Sequence, residues 1–232
     1  MVMVLLTPII LAVVYALVSM QFSVWRTKQM LDAQSQPLRD PSIARLTAKM
    51  AKALDLPEIH VHVFEIEPVN GLAAPDGRIF ITRGFLNRKM RGEVTSEELA
   101  SVIAHELGHV ALGHTRRRMI DFTGQNVVFV MLTAVLSRFL PGLGAMIASA
   151  VSSALMARLS RRDEFEADAY ATAVLLKSGI GTEAQKTLFR KLEALTGGGA
   201  AAIPAWMRSH PKTTERIAAI EANEASWMAV RN

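Results

Sequence analysis

The run His105-Glu106-Leu107-Gly108-His109 carries the residue types and spacing best suited to chemistry in this chain. Residues four apart lie on one face of a helix, so the two imidazoles can converge on a single ion. Glu106 sits about 100° round the helix from His105, near such an ion but free to touch water instead. The chain has no cysteine, so a transition-metal site must be built from His, Asp and Glu. Three protein ligands and one water make a catalytic zinc site, and a carboxylate beside that water can take its proton.

His-Glu-x-x-His on a helix is the zinc-protease signature, although a surface helix with histidines four apart would match it as well. Context favours the metal. Val102, Ile103 and Ala104 precede the motif and Val110, Ala111 and Leu112 follow it, which makes a helix meant for burial. Two histidines and a glutamate buried without a shared partner would be costly. The extended motif His-x-x-Gly-x-x-His fails here, because Leu112 and Thr115 stand at its Gly and His positions. His114 falls one residue early and is expected as a surface or helix-cap histidine. The other common solution takes a Glu from a later helix. Glu164 and Asp168 are four apart, so Glu164 can be the third ligand while Asp168 bonds a histidine ring. The plain alternative for this pair is an acidic helix face. Glu166 points elsewhere, and Arg161, Arg162 and Asp163 read as a solvated face.

The elements that must position these groups are legible from caps and periodicity. Thr95 and Glu98 form a capping box that starts the motif helix, expected to run to about Arg118. Asp40-Pro41 starts a helix to about Asp55, with Ile43, Leu46, Met50 and Leu54 as its apolar stripe. Residues 59–66 and 78–83 read as strands, with 69–74 as a further edge strand. His60 and His62 share an alternating face with Phe64 and Ile66 and are read as structural. A helix covers about 158–177 and stops at Gly179; Thr182 and Gln185 cap another that ends before Gly197. A last helix follows Pro211. The fold class is α+β, mainly helical, with a small antiparallel sheet.

Half of the 232 residues are hydrophobic, and much of the excess sits in 1–25 and 127–157. No charged side chain occurs from Met1 to Trp25, long enough to span a bilayer as a transmembrane anchor rather than a cleaved signal. Residues 26–39 read as a linker, and 40–232 as the chemical domain. Arg26, Lys28 and Arg39 follow the anchor with no Lys or Arg before it, which places the domain in the cytoplasm. The apolar stretch 127–157 fits a pair of helices packed in the domain or lying on the bilayer better than a transmembrane hairpin. The charge of +5 is spread along the chain, which suits anionic lipid head groups and excludes a nucleic-acid stripe. Oligomeric state is not legible.

With these motifs in hand, the chain resembles the membrane zinc endopeptidases that include HtpX and the CAAX prenyl endopeptidases. The matching pieces are 104–109, 160–169, and Ser209-His210-Pro211 with Arg216, and the likeness covers roughly 40–225. The resemblance implies a gluzincin-type fold, one zinc, and Glu164 as third ligand with Asp168 behind it. It also implies that His210 stabilises the oxyanion and that Arg216 buttresses that region. Asn70 and Ala73 match an Asn-x-x-Ala stretch, on an edge strand to which substrate backbone would add. Members like HtpX carry more apolar spans between the zinc motifs, whereas the short interval 110–163 is comparable to single-anchor periplasmic members. That pulls against the cytoplasmic placement. The expected function is zinc-dependent endoproteolysis of unfolded or membrane-associated polypeptides at a bacterial inner membrane, of the quality-control kind, with Glu106 as general base. The alternative is a zinc-binding membrane scaffold or chaperone-like polypeptide binder that does not cut.

Overall fold

A computed structural model of the chain describes residues 2–74, 76–114, 117, 129, 133, 136–196 and 213–231. They divide into two compact units, Met1–Ala33 with Thr115–Leu159, and Gln34–His114 with Ser160–Asn232.

In the second unit, four short strands, β1 (Ser35–Pro37), β2 (Val61–Phe64), β3 (Gly71–Ala73) and β4 (Ile79–Thr82), form one sheet in the order β1-β2-β4-β3. The expected antiparallel sheet is therefore mixed. β3 pairs with the far side of β4, so β4 returns between β2 and β3 and runs parallel to β2. β1 occupies part of the stretch expected as a linker, paired antiparallel with β2.

Helix α2 (Pro41–Ala53) begins where Asp40 accepts hydrogen bonds from the Ser42 and Ile43 amides, with proline at the first turn. Its stripe of Ile43, Leu46 and Met50 is buried. A short helix unannounced by the sequence, α3 (Arg83–Met90), follows β4 directly and buries Phe85 and Leu86. Helix α4 (Ser96–Ala111) starts on the expected capping box, in which Thr95 and Glu98 bond each other's backbone. Every residue from Glu98 to His109 is buried, because α2, the sheet and a later helix enclose α4. The buried Glu98 carboxylate is matched by Lys191 Nζ at 2.8 Å and the Thr187 hydroxyl at 3.0 Å.

Contrary to the expected end near Arg118, α4 stops at Ala111. Leu112 caps it and Gly113 takes φ +68°, a conformation glycine adopts without steric cost. Helix α5 spans Gly144–Lys177; its residues up to Leu159 belong to the first unit and those from Ser160 to the second. Helices α6 (Glu183–Thr196) and α7 (Thr213–Arg231) complete the second unit, and α6 packs on both α4 and α7. Leu99, Ile103, Phe85, Ile81, Leu175 and Leu188 lie in one apolar core shared by these elements.

The first unit holds α1 (Val2–Ala33) and the N-terminal half of α5. α1 continues past Trp25 to Ala33, again into the expected linker. Among the described residues no helix is long and apolar enough to cross a membrane. The expected anchor rests mostly on side chains of residues 1–13, which lie outside the described ones. Much of 127–135 does so too. Near the start of α5, Phe139, Leu143, Met146 and Val151 are exposed.

Candidate metal centre

Two helices of the second unit bring the chemistry together. α4 contributes His105, Glu106 and His109; α5 contributes Glu164 and Asp168. Gly108 sets how closely they meet: a β-carbon there would lie 3.0 Å from the Ala167 Cα and carbonyl oxygen. With no side chain in the way, the Glu164–Asp168 face of α5 reaches the histidine face of α4.

His105 Nε2 and His109 Nε2 stand 3.1 Å apart. Glu164 lies beside both, at 3.4 Å from His105 Nε2 and 3.6 Å from His109 Nε2. One donor atom from each of these residues falls within 4.8 Å of the others. Glu106 is 2 % exposed on the same helix and His105 2 %.

Behind the ligands lies a charged support. His105 Nδ1 meets Asp168 Oδ1 at 2.9 Å, and Arg216 of α7 holds both Asp168 oxygens, Nε at 2.6 Å and a terminal nitrogen at 2.8 Å. Such a two-pronged guanidinium–carboxylate contact fixes orientation as well as charge. Arg216 also lies 3.5 Å from Glu164, and its guanidinium stacks 4.5 Å over the Phe189 ring. Burial pushes the Asp168 carboxyl up, but the charge and hydrogen bonds of Arg216 outweigh it and hold the group below the usual carboxylate range. Burial likewise opposes charge on Arg216, and Asp168 more than restores it. For His105, burial alone would lower the pKa; hydrogen bonds to Asp168 and Glu164 prevail and push it up to about 9.

The donor set fits a metal ion. If Nδ1 of His105 donates to Asp168, Nε2 presents a lone pair, and it faces another ring nitrogen and a carboxylate. Lone pairs converging at these distances need a cation between them. A proton on His105 can serve, consistent with its raised pKa, and so can a divalent ion bound by two imidazoles and one carboxylate. The latter set is that of a catalytic zinc site.

A family model for peptidase family M48 matches residues 37–224. The chain belongs to peptidase family M48. It is similar to metalloprotease LoiP of Escherichia coli K12, 30% identical over 166 residues, which cover 68% of this chain and 60% of LoiP. It is also similar to metalloprotease YcaL of the same organism, 29% identical over 188 residues, 77% of this chain and 69% of YcaL. A protease HtpX homolog of Albidiferax ferrireducens is 25% identical over 242 residues, 90% of this chain and 81% of that protein. The chain thus spans 60% of the length of LoiP.

The remaining candidate residues of this M48 chain fall as follows. Asn70 and Ala73 lie at and in edge strand β3, which crosses α4: a β-carbon at Gly71 would stand 2.7 Å from Val102 and 3.4 Å from Glu106. The Asn70 backbone bonds Thr82 in β4. Arg216 sits beneath Asp168 and Glu164. His210 lies outside the described residues. His60 is exposed, and His62 packs 5.3 Å from the Phe80 ring.

Two residues differ from their sequence reading. His114 is fully buried, not a surface histidine: its Nδ1 meets His109 Nδ1 at 2.9 Å and its Nε2 meets Glu166 at 3.1 Å. The expectation failed because it carried α4 past Gly113 as a straight helix, which would turn His114 away. Asp163, expected in a solvated face, is 3 % exposed and 3.8 Å from His114. The Gly113 stop signal could have exposed both errors.

Proposed function

We propose that this chain is a zinc endopeptidase with His105, His109 and Glu164 as ligands and Glu106 as general base. The observation that carries the reading is the meeting of two imidazole Nε2 atoms and a carboxylate from separate helices, with Glu106 one residue from the first ligand. Zinc bound there would supply a Lewis acid and lower the pKa of a water it holds. Glu106 accepts a proton from the attacking water on its carboxylate and returns it to the leaving amine. Asp168 keeps the His105 proton on Nδ1, and Arg216 keeps Asp168 ionised and in place. His210 donates to the developing oxyanion. Substrate backbone pairs with β3, the sheet edge that lies against Glu106, with Asn70 and Ala73 along its path.

Unfolded or membrane-associated polypeptides suit such a strand-reading site, because only an extended segment can pair with a sheet edge. The uncharged stretch from Met1 to Trp25 serves as membrane anchor, which alkaline extraction of membranes from expressing cells tests: release of the intact chain into the soluble fraction sinks that part. The rival reading is a zinc-binding polypeptide scaffold that does not cut. An intact Glu106 speaks against it, since mere binding has no use for a base.

The deciding experiment sets Glu106→Gln beside the unaltered chain, with bound zinc quantified and cleavage of casein followed. Equal zinc, near one per chain, with cleavage by the unaltered chain alone supports the peptidase. Zinc in both and cleavage by neither moves the scaffold reading ahead.

A further inference from the structure

The two histidines of the α4 motif are supported in different ways, and only one support has a role so far. Behind His105 stands Asp168, fixed by Arg216. Behind His109 stands His114, 2.9 Å away between Nδ1 atoms, which in turn reaches Glu166 at 3.1 Å. Glu166 is held by Arg162 Nε at 2.7 Å. His114 is entirely buried, and Asp163, also buried, lies 3.8 Å from its Nε2.

One requirement sets the protons along the His109–His114–Glu166 run. To offer a lone pair at Nε2, neutral His109 must carry its proton on Nδ1. That Nδ1–H points at His114 Nδ1, which must then accept and be bare. The proton of neutral His114 is left on Nε2, where Glu166 accepts it. The reverse assignment would put the His109 proton on Nε2, 3.1 Å from His105 Nε2, where a metal could not be bound. The turn at Gly113, with φ +68°, brings His114 back under His109; a helix continued through that position would carry it away.

We infer that His114 is a positioning residue for metal binding, a neutral relay that holds His109 in its metal-ligating tautomer and is itself set by Glu166. This rests on the ligand assignment proposed above. An imidazole in this place differs in effect from Asp168. It orients the ligand ring without itself bringing a negative charge against His109, and the carboxylates of Glu166 and Asp163 stand one residue further back, on the Nε2 side of His114. Asp163 and Glu166 around His114 also form a group close enough to hold a cation of their own. The 3.1 Å contact between His114 Nε2 and Glu166 is already satisfied as a hydrogen bond, and Arg162 supplies the cation at that carboxylate, so a relay accounts for the group.

The test measures zinc stoichiometry and affinity by competition with a chromophoric chelator, in the full chain, for His114→Leu, His114→Asn and Glu166→Ala. Partners behind a ligating histidine typically alter metal affinity 10- to 100-fold. His114→Leu should lose affinity by about that factor with one site retained. His114→Asn, whose side-chain oxygen can stand where Nδ1 was, should recover most of it, and Glu166→Ala should show a smaller loss in the same direction. A merely structural role would not favour Asn over Leu at a buried position. Unchanged affinity in all three overturns the inference while leaving the metal site intact. Two zinc ions in the unaltered chain, one lost in His114→Leu, overturn it in favour of a second cation site. No zinc in the unaltered chain overturns the ligand assignment itself. Where His114→Leu does not fold, the partly exposed Glu166→Ala decides by the same readout.

Discussion

Arg216 grips both carboxylate oxygens of Asp168, at 2.6 and 2.8 Å, across 48 positions of sequence. Both residues are buried, so neither charge is hydrated and each is balanced by the other. Asp168 passes the constraint on through its bond to His105 Nδ1, which ties the orientation of a proposed ligand to the docking of the last helix. Metal affinity and folding of the second unit should therefore share one residue pair.

Removing one partner of a buried ion pair leaves an uncompensated charge and costs about 3–5 kcal/mol. Arg216→Met should lose stability on that scale in urea unfolding and should weaken metal binding as well. Arg216→Lys keeps the charge but not the planar fork, so it should recover part of the stability and less of the affinity. A chain with Arg216→Met as stable as the original would show that the pair does not hold the fold.

Gly108 makes a second, purely steric prediction. In Gly108→Ala the new methyl would meet the Ala167 backbone at 3.0 Å, and helix backbone gives way less easily than a side chain. α5 must move off α4 by a few tenths of an ångström, at a cost of about 1–3 kcal/mol typical of overpacking. Since Glu164 and Asp168 ride on α5, affinity for metal should fall in step. Unaltered affinity in a destabilised variant would show that the two helices slide without opening the site.

Asp40 offers a pH test away from the site. Burial pushes its carboxyl up, but hydrogen bonds from Lys89, Ser42 and the Ile43 amide outweigh it and hold the pKa at about 2, below the ordinary 3.8. A folded-state pKa depressed in this way stabilises the protein above pH 4, and the contribution fades as pH falls from about 4 towards 2. Asp40→Ala should thus cost about 1–2 kcal/mol at neutral pH, through lost cap and lost pair. The gap between the two unfolding curves should narrow below pH 4. A gap that stays constant down to pH 2 would exclude ionisation of Asp40 as its source.

For His210 the expected signature is a split between binding and turnover. One donor to a developing oxyanion is worth roughly 3 kcal/mol, about a hundredfold in rate. His210→Ala should retain zinc and lose turnover on that scale, read as kcat on an unfolded substrate. Cleavage at the original rate would remove His210 from the mechanism.

Much of this protein was legible before folding, because its signals are local. The Asp40 cap, the Thr95–Glu98 box, the strands around Val63 and Ile81, and the spacing of His105, Glu106 and His109 each depend on neighbours within a few residues. So does the four-residue interval that sets Glu164 and Asp168 on one face of α5. Backbone hydrogen bonding and helical periodicity act over that range, and the residue types there report it directly.

What only the tertiary structure decided involves partners far apart in the chain. β4 runs parallel to β2 because β3 takes its outer edge, a choice that no strand pattern contains. Asp163 is buried because the turn at Gly113 brings His114 towards α5, and neither residue's immediate neighbourhood predicts the meeting. Arg216 finds Asp168 only once α7 has packed on α6 and Phe189 lies beneath its guanidinium. Residue type and spacing dictate which groups can bind an ion. Which groups stand behind them depends on desolvation, since a charge or an imidazole taken from water must meet whatever partner the packing of distant helices supplies.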